Sequence, residues 1–293
     1  MSQNINQSYN NIFNNIDSYR HSLIEYLKKE NLFYENEKIN LSVNEKEISY
    51  YRWLHPYQTA WELDWIFNVN KLNSISKIIK KDSVVLDLGA HTGNYSVGYS
   101  LFAKKVISFE PNPVTFSVLN KNVTLNPNII AYNVGCAEED KQMEFYYSDP
   151  GFNNGGNDMG SLKEYHPHPI DVYCINIDKF LKELHPEDYN NISFIKIDCE
   201  GYDTKILPTL KNIIEKNKPI IETELFEGFS VEEKQELIEV INSLGYDCYN
   251  FSAVSEDIDF IDLTKDKITK KNVGDIENKG GHYNLICFPR EEL

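Results

Sequence analysis

The chain has 293 residues, 41% of them hydrophobic, and a formal net charge of −16 at pH 7. That length suits one large domain with a modest extension, and that apolar fraction is ordinary for a packed globular core. The acidic balance argues against a broad face for nucleic acid, and no apolar run is long enough to span a bilayer as a helix. The polar, Asn-rich stretch Met1 to Asn15 lacks the basic and apolar parts of a secretory signal, so a cytoplasmic location is expected.

In chain order, Ile12, Ile16, Leu23, Ile24 and Leu27 fall at helical spacing, which predicts an amphipathic helix over Ile12 to Leu32. The stretch Ile39 to Trp53 is ambiguous and is read as short strands at most. Trp61 and Trp65 stand four apart in a helical stretch from Tyr57 to Phe67, and a further helix is expected from Asn73 to Lys80. Residues 1–80 therefore read as a mainly helical extension on a domain of residues 81–293. Its uses are a lid, a homodimer surface or plain scaffold.

From Ser83 strands and helices alternate. Val84 to Asp87 reads as a buried strand, with a helix from Asn94 to Phe102. Lys105 to Glu110 is the next strand, then a helix from Pro113 to Asn122 and a third strand from Ile129 to Val134. Gln142 to Tyr147 and Val172 to Ile177 read as strands around a Gly/Asn-rich loop, Asp149 to Ser161, a candidate substrate lid or a plain connector. Ile192 to Asp198 and Pro219 to Glu224 are strands, with helices expected at Asp203 to Lys216 and Val231 to Leu244. Tyr246 to Phe251 and Tyr283 to Phe288 close the chain as two more strands. This alternation predicts an α/β fold around a doubly wound, mostly parallel sheet.

The five cysteines, Cys136, Cys174, Cys199, Cys248 and Cys287, form no C-x-x-C pair and read as reduced thiols. His166 and His168 flank Pro167 near Asp158 and Asp171, without ligand spacing, so no metal is expected.

The first strand ends in Asp87-Leu88-Gly89-Ala90-His91-Thr92-Gly93, and Asn94 and Tyr95 open the next helix. Two glycines bracket a turn where a ligand must approach the backbone, but the middle glycine of a dinucleotide fingerprint is missing. A nucleoside ligand suits the loop better than a pyrophosphate. Glu110 ends the second strand 23 residues beyond Asp87, where a carboxylate can accept hydrogen bonds from ribose hydroxyls. Pro111 and Asn112 follow it. At the third strand's end, Asn133 or backbone near Gly135 reads as an adenine contact, or as a plain strand end.

These motifs, together with Phe109-Glu110-Pro111-Asn112-Pro113 and Ile195-Lys196-Ile197-Asp198-Cys199-Glu200-Gly201-Tyr202-Asp203, resemble those of the FkbM family of S-adenosylmethionine (SAM) methyltransferases. The resemblance covers about Ser83 to Phe288. It implies a class I, Rossmann-like methyltransferase fold with a seven-stranded sheet and a final antiparallel strand, SAM as cofactor, and O-methylation of a sugar or natural-product hydroxyl. The family commonly carries His and Glu after the Glu-Gly pair. Here Tyr202 and Asp203 stand instead, so no role is carried over for that His.

Methylating a hydroxyl requires alignment and removal of its proton. Asp198 and Glu200 lie where ligands bind an open α/β sheet, and i, i+2 spacing in an extended segment points both the same way unless a turn at Gly201 alters it. Asp198 is read toward the methionine end of SAM and Glu200 toward the acceptor, with an N-terminal helix cap as the structural alternative. His282, beside Gly280 and Gly281, is a further candidate base, and Glu222 and Glu224 are candidate lining of the acceptor pocket. The leading expectation is O-methylation of a saccharide or glycan. The alternatives are a non-sugar O- or N-acceptor, a SAM- or nucleoside-binding protein without activity, and an NAD-dependent dehydrogenase.

Overall fold

The computed structural model describes residues 2–29, 35–43, 46–54, 69–147, 168–226, 228–251, 261, 263, 265–276 and 283–290. The expected helix at 57–67, the Gly/Asn-rich loop at 149–161, and His166 and His282 lie outside them.

The chain opens with helix α1, Ser2–Lys29, and a hairpin of strands β1, Asn36–Val43, and β2, Lys46–Trp53. The stretch that the sequence left ambiguous, with short strands admitted, thus forms two eight-residue strands. Ile39, Leu41, Ile48 and Tyr50 alternate along paired strands, and Ile48 and Tyr50 are buried against the main domain. Helix α2 spans Val69–Ile78.

The core sheet is built from β3, Val84–Leu88; β4, Lys105–Phe109; β5, Ile129–Tyr132; β9, Ile192–Ile197; β10, Ile220–Leu225; β11, Tyr246–Asn250; β12, Lys267–Ile268; and β13, Tyr283–Pro289. Between β5 and β9, strands β6, Gly135–Cys136, β7, Lys141–Tyr147, and β8, His168–Ile175, form a separate small sheet. The helices after α2 are α3, Asn94–Ser100; α4, Pro113–Leu125; α5, Ile177–Leu184; α6, Asp203–Ile206; α7, Lys211–Asn217; and α8, Val231–Ser243.

The core strands run in the order β12-β11-β13-β10-β9-β3-β4-β5. β3, β4, β5, β9 and β10 are mutually parallel, and β13 enters antiparallel between β10 and β11. This is the expected fold with one change: two-residue β12 makes an eighth strand at the edge. The expected helix Asp203 to Lys216 is broken by a 3₁₀ turn at Leu207–Leu210. Pro208 lacks the N–H that a continuous α-helix would use there.

The strands β3 and β4 are apolar on both faces because helices cover both. One row of polar side chains interrupts this. Ser108, Asp87, Lys196 and Glu222 sit opposite one another on β4, β3, β9 and β10, so they share a face near the carboxyl ends of the strands. All four are buried.

Candidate active site

Two turns meet at that carboxyl edge. The first joins β3 to α3. The N–H groups of Gly89 and Ala90 both donate to the Phe109 carbonyl, at 3.0 and 2.9 Å, fastening the loop to β4. Gly89 has φ +80°, and a side-chain carbon there would fall 1.8 Å from the Asp198 carbonyl oxygen. Only glycine allows the two turns to touch. His91 adopts φ +52° within the loop.

Glu110 ties the loop down from β4. The N–H of His91 donates to its Oε2 at 2.7 Å, while the Asn112 N–H and the Thr115 hydroxyl donate to its Oε1 at 2.7 and 3.1 Å. Burial pushes the carboxyl up to about 7, against the opposing pull of these donors and of Lys196. Asn112 caps α4 through Oδ1, which accepts from the Val114 N–H, while its buried Nδ2 has no hydrogen-bond partner. Asn133 donates to the Glu110 and Pro111 carbonyls at 2.8 and 3.0 Å and accepts from Arg20 of α1 at 3.4 Å. It is thus a brace of the Glu110–Pro111 segment. Gly135 has a packing reason to be small: a side-chain carbon there would lie 2.6 Å from the Cys174 sulfur.

The N-terminal hairpin also grips this loop, a connection the sequence does not reveal. The Tyr50 hydroxyl lies 3.1 Å from the Thr92 hydroxyl, and the Trp53 ring meets the His91 ring edge-on at 6.2 Å. Asn122 of α4 accepts from the Tyr51 N–H and donates to the Thr92 carbonyl, linking hairpin, loop and helix.

The second turn follows β9. Asp198 leaves the strand; then Glu200, φ +52°, and Gly201, φ +87°, reverse the chain. Two left-handed residues break the extended alternation, so the expectation that Asp198 and Glu200 share a strand face fails. The N–H of Cys199 donates to Asp203, the Tyr202 N–H to the Cys199 carbonyl, and the Tyr202 hydroxyl to Glu138. Buried Asp203 also accepts from Thr223 and is pushed up to about 6, chiefly by burial and then by Asp198.

Around Asp198 the charges are layered. Lys196 Nζ is 3.0 Å from Asp198 Oδ2 and 3.8 Å from Asp87 Oδ1. Burial alone would lower this lysine, but Asp198 and Asp87 override it and hold the ammonium charged. Asp87 accepts from the Ser96 hydroxyl and is wholly buried, so it braces the site from beneath the sheet edge. Burial raises its carboxyl despite Lys196 and Ser96. Glu222 accepts from Asn284, Tyr99 and Lys71, a buried lysine supplied by α2. The Tyr95 ring lies between two ammonium groups, 4.5 Å from that of Lys71 and 4.6 Å from that of Lys196. Asn94 accepts from the Tyr95 N–H at this helix start.

The residues fit a nucleoside-bearing donor. Glu110 Oε2 keeps an acceptor position beyond the His91 bond, and the buried Asn112 amide is an unspent donor two residues away. The loop, Glu110, Asn112 and the Asp198 turn come together; His282 lies outside the described residues, and no metal-holding cluster of His, Cys, Asp and Glu occurs among them. No described helix is long and apolar enough to cross a membrane. The cysteines are free thiols.

Strand order, loop and acidic strand ends together define a class I methyltransferase fold. The family described as "Methyltransferase FkbM domain" matches residues 87–248, more than half of the chain. The chain belongs to the FkbM family of SAM-dependent methyltransferases. It is similar to Methyltransferase 1 of Beauveria bassiana (strain ARSEF 2860), with 26% identity over 149 residues, 43% of this chain and 57% of that one. The chain thus spans little more than half of that relative. Among solved structures it resembles methyltransferase FkbM from Methylobacillus flagellatus KT, at 17% identity and a TM-score of 0.35, over 50% of this chain and 33% of that one. It also resembles precorrin-6y C5,15-methyltransferase from Geobacter metallireducens GS-15, at 11% identity and a TM-score of 0.42, over 76% and 88%.

Proposed function

We propose that the chain is an O-methyltransferase that moves a methyl group from SAM to a hydroxyl of a saccharide or glycan. The observation that carries this reading is the contact of the two turns at Gly89. It leaves room for no side chain between the glycine loop and the Asp198 backbone carbonyl, which supports reading the donor and the proton acceptor as parts of one site. SAM, when bound, supplies a methyl group already activated by its sulfonium. Glu110 and Asn112 take the polar edge of the nucleoside, and the loop backbone from Gly89 to Gly93 lies against it. A sugar hydroxyl is a weak acid, so its attack needs a base. Asp198, read from the sequence toward the methionine end of SAM, is assigned here as that base instead, because its side chain is 30% exposed and meets both solvent and the buried lysine. Glu200, beyond the turn, is read toward the acceptor. The reduced thiols and acidic charge support a cytoplasmic small-molecule or glycan acceptor, not nucleic acid.

The test is a titration of the purified chain with SAM and S-adenosylhomocysteine, followed by labelled SAM with panels of saccharides and of amines. Binding and labelling of saccharides support the reading. Labelling of amines alone moves the acceptor class, and absence of binding removes the enzyme reading altogether.

A further inference from the structure

We infer that Glu224 is a positioning residue for methyl transfer: its protonated carboxyl donates a hydrogen bond to Asp198 and, with Lys196 on the other side, leaves Asp198 as the carboxylate that takes the acceptor's proton. This rests on the methyl-transfer reading above.

The geometry comes from strand register. Lys196 stands opposite Glu222 and Ile197 opposite Thr223 where β9 and β10 run parallel. Continuing that ladder by one residue brings Asp198 beside Glu224, on the face that carries Lys196 and Glu222. The Asp198 N–H still donates to the Leu88 carbonyl of β3, so the ladder holds at this residue and the two carboxyl groups lie side by side. Two carboxyls in such contact do not both ionise, because like charges a few ångströms apart repel strongly; the pair shares one proton.

The surroundings decide who holds it. The Lys196 ammonium lies 3.0 Å from Asp198 and favours the negative charge there. Glu224 is buried, and burial followed by the charges of Asp198 and Asp203 pushes its carboxyl well above the usual carboxylate range, with Lys196 opposing. From β13 it faces the neutral amide of Asn284, which donates to Glu222. Glu222 shares its strand face and is engaged by Lys71 of α2 and Tyr99 of α3. Glu200 lies past the left-handed reversal and outside this pair's register.

The step balances. The acceptor O–C bond forms as the S–C bond breaks, with that bond's electrons staying on sulfur, and the hydroxyl proton moves to Asp198. Its exposed side returns the proton to water. Should Glu224 lose its own proton, Asp198 loses the hydrogen bond that orients it and is pushed away by a second carboxylate, so although it becomes more basic its alignment with the acceptor is lost and transfer falls at high pH.

The first test needs no ligand. A carboxyl raised in the folded state contributes its full stability below the unfolded chain's value, and that contribution is lost as pH rises from there through the folded value. Melting temperatures of the full chain and of Glu224→Gln should therefore diverge from pH 5 to pH 9, the wild type losing more. A difference constant across that range overturns the proton assignment, whatever the activity proves to be. The second test is kinetic. Glu224→Gln keeps a donor without a titrating proton. It should bind S-adenosylhomocysteine within about twofold of wild type, keep its rate at pH 7 within about threefold, and lack the alkaline fall. Glu224→Leu should lose about 50-fold in kcat with S-adenosylhomocysteine affinity unchanged. A Leu variant at wild-type kcat, or a Gln variant with the same alkaline fall, overturns the positioning role. If wild type binds no S-adenosylhomocysteine, the methyl-transfer reading fails, while the melting comparison still decides the proton.

Discussion

The two turns at the sheet edge each hold a non-glycine residue in left-handed backbone, His91 in one and Glu200 in the other. They are fixed by different means. The donor loop is fastened by backbone bonds to Phe109, by Glu110, and by aromatic residues of the hairpin. The turn after β9 is surrounded by ionisable groups whose balance depends on Lys196. Backbone bonds and packing hold the first turn and charge surrounds the second, and in the proposed function these are the donor and acceptor sides. Substitutions should therefore separate binding from turnover.

The sharpest separation is Asp198→Asn. Removing the proposed base should lower kcat by about a thousandfold while S-adenosylhomocysteine affinity stays within about threefold, measured by calorimetry. A parallel loss of affinity would erase the distinction between the turns. Gly89→Ala attacks their point of contact and should damage both. SAM affinity should fall by about a hundredfold or more, and denaturant unfolding should show a loss of about 3 kcal/mol from the collision and left-handed strain. Near-wild-type binding would mean that the turns part easily.

A third effect is set by pH. If Glu110, raised to about 7, accepts the ribose hydroxyls as proposed, it does so best when ionised, and SAM should bind about tenfold more weakly at pH 6 than at pH 8. Glu110→Gln should bind weakly at both. The contribution to stability runs the other way. Because the folded carboxyl holds its proton longer than the unfolded one, stability falls by about 3 kcal/mol as pH rises from 4.5 to about 7. The smallest effect belongs to the hairpin. Tyr50→Phe removes one buried hydroxyl contact to Thr92 and should weaken SAM binding about fivefold, with kcat unchanged.

The parallel strands were legible because apolar runs of the right length alternate with helical spacing, and Gly89, Glu110 and Asp198 could be placed at strand ends from the same pattern. What escaped was what depends on distant pairing. Tyr50 meets Thr92 from 42 residues away, and no local pattern encodes that approach. Lys196 was legible in part. A lysine between Ile195 and Ile197, in a strand covered on both faces, must have a buried partner, but the sequence names neither Asp198 nor Asp87 as that partner. Gly201 marks the turn that separates Asp198 from Glu200, but the left-handed backbone of Glu200 itself leaves no mark in composition.

The placement of β13 has a consequence for synthesis. It follows β11 in sequence but lies between β10 and β11 in the sheet. While the ribosome is still making residues 251–282, β10 and β11 are complete yet have no strand between them. Each then offers bare backbone edges to other nascent chains, a known route to aggregation. Until β13 is made and inserted, the facing edges of β10 and β11 lack their partner strand.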